Sequence, residues 1–180
     1  MIPMFKRLAT LIEKRLQRYQ FELVKTFEVT VPVDYDHATR LTKFGKAHCE
    51  EFYYYSDAIT DTNFAKTPAL TPGKKFLVKV FQIHGIVSSE DCLTQLRCVK
   101  ATLTGAHGAS LVYEQAKNEL PEGSWALSFD EKRNLPFIDD DYRVPCVNAF
   151  TVCDFKWYLD YFESHWGDHY VILAFCDIST

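Results

Sequence analysis

The chain has 180 residues, 47% of them apolar and 15% aromatic, with a formal net charge of −4. That length fits one domain with a sizeable core, and the apolar fraction excludes a disordered chain. The acidic balance excludes a dedicated nucleic-acid binder, which presents a strongly basic surface.

The charge is unevenly spread. Residues 1–25 hold six Lys or Arg against two Glu, giving +4, while residues 122–180 hold four basic and eleven acidic residues, giving −7. Six cysteines, at 49, 92, 98, 146, 153 and 176, form no C-x-x-C pair. In a chain of this size they read as free thiols of a reducing compartment, so a cytoplasmic location is expected. The first residues lack the continuous apolar core of a signal peptide, and no stretch reaches the length of a membrane span.

Taken in chain order, Phe5, Leu8, Ile12, Leu16 and Tyr19 recur at helical spacing and predict an amphipathic helix over residues 3–20, packed on the body or appended to it. Its basic residues leave weak membrane-surface contact open, but any packed surface helix shows the same amphipathicity. Residues 21–33 switch to period two and predict a half-buried strand, with Phe21, Leu23, Phe27, Val29, Val31 and Val33 on one face. Asp34 or Asp36 is placed to cap a helix over about 37–48, and Phe52 to Tyr55 reads as a short strand.

Residues 57–74 are irregular. Residues 75–83 carry apolar residues on both faces and predict a central strand. Ser88 with Asp91 resembles a capping box before a helix through Cys92, Leu96 and Val99. A short strand at 102–104 precedes a helix with Ala109, Val112, Ala116 and Leu120 inward. Pro121-Glu122-Gly123 stops that helix, and a strand is expected over 125–129. Further strands are expected over 143–152 and 170–176. A helix over about 155–162 stands between them. The expected architecture is one domain over 1–180, α/β or α+β, with a mixed sheet of about five or six strands flanked by helices.

The motifs are sparse. Gly105 and Gly108, at the start of a helix, allow close backbone approach to an anion, and His107 between them can transfer a proton. No G-x-G-x-x-G fingerprint and no phosphate-loop Gly-Lys-Ser/Thr accompanies them. His165 and His169 lie four apart, but Gly167 interrupts a shared helix face and no third ligand stands out, so no metal is assigned. No cofactor is assigned either.

The aromatic residues carry more. Tyr53, Tyr54 and Tyr55 cannot all face one side of a strand, and Trp157, Tyr158, Tyr161 and Trp166 cover more than one face. Some large rings therefore reach a surface, which suits protein recognition. The expected function is a non-enzymatic binding protein whose partner is another protein or a second copy. Tyr53, Tyr55, Trp157, Tyr161 and Trp166 are its expected anchors, and Asp139, Asp140 and Asp141 its charged rim. The alternative is a small phosphate- or nucleotide-handling enzyme built on Gly105, Gly108 and His107.

Overall fold

The structure, a computed structural model, describes residues 20–148 and 156–178. The helix expected over 3–20 falls outside them but for Gln20, as does Cys153. In chain order the elements are β1 (Phe21–Thr30), α1 (Arg40–His48), β2 (Tyr54–Tyr55), β3 (Lys75–Ile83), β4 (Val87–Ser88), α2 (Ser89–Cys98), α3 (Gly105–Ala116), β5 (Trp125–Leu127), β6 (Phe137–Ile138), β7 (Asp141–Asn148), β8 (Lys156–Tyr161), β9 (His165–Trp166) and β10 (Tyr170–Asp177). One sheet of eight strands runs β1-β3-β10-β5-β7-β8-β2, with β6 beside β7, where five or six strands were expected. Among the described residues only β5 with β10 and β2 with β8 pair in parallel. A two-stranded sheet joins β4 to β9.

Strand β3 lies where the apolar pattern placed it, inside the sheet between β1 and β10. Both its faces are covered. Phe81 and Ile83 join the core that holds Cys92, Leu93 and Leu96 of α2, while Phe76, Val78 and Val80 join Leu111, Val112 and Ala116 of α3. Strand β5 belongs to the same sheet, with β10 between the two, so the chain crosses a common sheet more than once. A third apolar cluster packs Leu41 and Phe44 of α1 against Ala106, Ala109 and Tyr113 of α3 and Trp157 of β8. Helices therefore cover both faces.

Strand β1 departs from simple alternation. Leu23 sits opposite Phe81 but Lys25 sits opposite Val80, so Val24 is an extra residue in a bulge. An extra residue transfers every later odd-numbered side chain to the other face. Phe21 therefore joins the core under α2, whereas Val29 joins the core under α3. Leu23 and Val33, expected inside, are exposed.

Helix starts divide into local and long-range solutions. Ser88 and Asp91 form the expected capping box on α2, each side chain meeting the other residue's backbone N–H. On α1 neither Asp34 nor Asp36 caps the helix. Asp36 instead accepts from the Thr39 hydroxyl, and Asp61 accepts from the N–H groups of Leu41 at 2.7 Å and Thr42 at 3.0 Å. The donors left open by the first turn of α1 are met from 20 residues away.

One hydroxyl ties the start of α2 to the turn after β8 and to β9. Ser89 Oγ donates to the Phe162 carbonyl and accepts from Trp166 Nε1 at 2.9 Å, all in the core. Ser89→Ala would strand a buried indole N–H and a carbonyl. It is expected to cost about 2 kcal/mol, read as a lower urea midpoint with an unchanged m-value.

Two segments take a different form from the sequence expectation. Residues 156–161 form a strand, not a helix, because they pair residue for residue with β7 from Arg143 opposite Tyr161 to Asn148 opposite Lys156. A short apolar run does not declare its own period, and here the neighbour decided it. Of the strand expected at 102–104, only a single bridge between Thr102 and Phe175 forms.

Candidate functional site

Three regions hold the residues singled out by chemistry. The first surrounds the start of α3. The His107 ring is wholly buried and stacks on His37, which sits in the loop between β1 and α1, at 4.0 Å between centroids and 15° between planes. The Tyr35 hydroxyl bonds His37 Nδ1 at 2.9 Å. Neither nitrogen of His107 has a hydrogen-bond partner, nor do His37 Nε2, Thr67 Oγ1 and Asp130 Oδ2.

Burial, and then the charge His37 can carry, hold His107 down to about 4. Burial also lowers His37 and raises Asp130. Asp130 Oδ1 accepts from the Glu131 N–H at 2.7 Å and from Asn134 Nδ2 at 3.0 Å. The Thr67 hydroxyl stands close enough to favour its ionised form without reaching hydrogen-bond geometry.

The two glycines have structural reasons to be there. Gly105 has φ +49, a backbone that side chains resist, and its N–H is bound to the Phe129 carbonyl. The Gly108 N–H is bound to the Thr104 carbonyl, and the residue is wedged against Thr104 and Phe175. A Cβ on Gly105 would sit 3.4 Å from Thr67 Oγ1 and 3.7 Å from Asp130 Oδ2. An anion entering here would meet a carboxylate already facing the positive end of α3.

The second region is the aromatic edge formed by β2 and β8. Trp157 and Trp166, expected as surface anchors, are wholly buried: Trp157 packs on Phe44 and Trp166 against Phe129. Tyr55 is half-buried among Phe44, Phe52 and Trp157, and burial lifts its hydroxyl to about 12. Tyr53 is 74% exposed. It lines an open groove of about 480 Å³ with Tyr54, Ser56, Trp125, Lys156 and Tyr158, and Leu159 closes one wall.

Register explains how the groove is assembled. Tyr54 pairs with Lys156, Lys156 with Asn148, Asn148 with Trp125 and Trp125 with Tyr170, so these five side chains form one row across β2, β8, β7, β5 and β10. Paired residues on neighbouring strands share a face. Asn148, in the middle of the row, is buried and both its amide atoms lack partners. Trp125, Lys156 and Tyr158 carry no local motif. Only strand pairing unites them.

The third region is the far end of β8. Ile138 pairs with Asp141, leaving Asp139 and Asp140 as a two-residue hairpin loop with φ of 50° and 62°. Positive φ at both loop positions is the geometry of a type I′ turn, which Asp tolerates better than most residues. The Arg143 guanidinium lies 3.7 Å over the Tyr161 ring, donates to the Ile138 carbonyl and reaches Asp139 at 3.7 Å. Asp139, Asp140 and Tyr161 are thus brought together. Tyr53 lies at the opposite end of β8, where Lys156 Nζ stands 5.3 Å over its ring.

His165 lies on β9 and His169 in the turn before β10, so no helix aligns them. Among the described residues no group of three or more His, Cys, Asp or Glu is arranged to hold a metal ion. No helix among them is long and apolar enough to cross a membrane. In comparisons with protein-family models, with curated proteins and with solved structures, the chain matches none.

Proposed function

We propose that the chain is a non-enzymatic binding protein that docks a basic partner on the β6–β7 hairpin end of its sheet. The observation that carries this reading is the company kept by Asp139 and Asp140. Both are exposed at the turn, with Tyr161 48% exposed beside Arg143. Exposed rings supply anchoring area, and a rim of one charge sign steers and selects a partner. Arg143 is engaged with Tyr161, and Lys132 with Glu163, while among the described residues no cation lies within ion-pair distance of Asp140 or Asp141. The −7 balance of residues 122–180 favours the same sign of partner. The phosphate-handling alternative has no such support, because Asp130 sits where its anion would bind.

Binding to immobilised Lys/Arg-rich peptides carrying an aromatic residue tests this. Retention at low salt is expected, with loss at high salt and in Asp139→Asn/Asp140→Asn protein, where Asn keeps the turn but removes the charge. Tyr161→Ala is expected to weaken retention as well. Equal retention by the Asn variant, or no retention of any basic peptide together with purely monomeric sizing, would remove the proposal.

A further inference from the structure

The geometry points to a second site, independent of the hairpin end: we propose that the groove between β2, β8 and β5 binds a small planar aromatic anion. Its volume of about 480 Å³ lies within the roughly 300–1,000 Å³ of small-ligand sites. Four of its lining side chains are aromatic, and Trp125 and Tyr158 meet edge to face at 4.8 Å and 89°. Tyr53 and Tyr54, both exposed, present ring surface for a planar guest to stack on.

The sign of the guest follows from Lys156. Among the described residues it is the one charged side chain lining the groove, and none of their carboxylates lies within ion-pair distance of it. Its ammonium is held over the Tyr53 ring at 5.3 Å, which keeps the charge at the groove's mouth. An anionic substituent on a stacked ring meets that ammonium directly.

The anion can be a carboxylate or a phosphate, and the test separates them. Trp125 is half-exposed, whereas Trp157 and Trp166 are wholly buried. The Trp125 indole N–H resonance therefore reports on the groove. Titration of the full chain with 1-naphthoate and with AMP, against neutral 1-naphthamide and adenosine, is expected to shift that resonance with at least one of the anions. The matching neutral compound should bind at least tenfold more weakly.

Lys156→Gln is expected to weaken the anion tenfold or more while the melting temperature is unchanged, and Tyr53→Ala to weaken both charged and neutral probes. A response to 1-naphthoate alone assigns a carboxylate guest, and a response to AMP alone a nucleotide. The inference is overturned if neither anion moves the Trp125 signal at millimolar concentration, if neutral probes bind as well as anions, or if Lys156→Gln binds as the parent does. None of these readouts involves the hairpin acids, so failure here leaves the hairpin reading standing.

Discussion

Between pH 6.5 and pH 4 His107 is expected to withdraw about 3 kcal/mol of folding stability. The unfolded chain protonates this imidazole near its ordinary 6.5, while the folded protein holds it neutral down to about 4 because the ring is buried against His37. Across that window the unfolded state binds more protons, so stability is fully present above the upper value and falls as the pH drops to the lower one. His37, lowered by its own burial, works in the same direction. Asp130 works in the opposite one. Its folded value is raised, so its burial costs stability at neutral pH and that cost is relieved by acid.

Urea titrations at several pH values separate these contributions. His107→Phe keeps a ring to stack on His37 and removes the titrating imidazole. It is expected to be at least as stable as the parent at pH 7.5 and to flatten the acid slope. Asp130→Asn, by removing the opposing group, is expected to steepen it. A His107→Phe protein with the parent's slope would show that the buried imidazole is not the acid-sensitive element.

The other large effect is steric. A Cβ placed on Gly108 would lie 1.9 Å from Thr104 Oγ1, 2.6 Å from Thr104 Cβ and 2.8 Å from Phe175 Cζ. Two of those atoms are close to backbone or in the middle of the core, so a rotamer change does not clear them. Gly108→Ala is expected to cost about 3 kcal/mol, a fall of roughly 6–12 °C in melting temperature for a chain of this size. The gain in helix propensity from Gly to Ala, about 1 kcal/mol, is too small to offset it. Thr104→Ala in the same protein removes the nearest atom but leaves Phe175, so the double variant should recover part of the loss. Strict additivity of the two substitutions would contradict this account, because residues sharing one clash must couple.

How much of this was readable in advance depended on the range of the interaction. Strand β3 was legible because six of its nine residues are apolar and they fall on both faces, which only a covered strand tolerates. The capping box at Ser88 and Asp91 was legible because it closes within three residues. The bulge at Val24 was not, since it appears only as a mismatch with β3, and neither was the capping of α1 by Asp61.

The same division holds for the sites. The acidic run at Asp139 to Asp141 stood out in composition, but its two-residue turn depends on β6 pairing with β7. Trp157 and Tyr161 are four residues apart on one face of β8. One is buried because α1 packs over its end of the strand, and the other is exposed because the helix does not reach so far.

The amino-acid order by itself determined a mixed α/β fold, the position of its central strand, the local start of α2 and the acidic character of residues 122–180. Periodicity, capping and charge are written in neighbours along the chain. Tertiary structure alone decided that two tryptophans belong to the core, that the Gly105–Gly108 turn faces a carboxylate, and that a lysine, an asparagine and a tryptophan from three strands share one row. Register is a relation between distant segments, and a side chain's exposure is set by whatever packs over it.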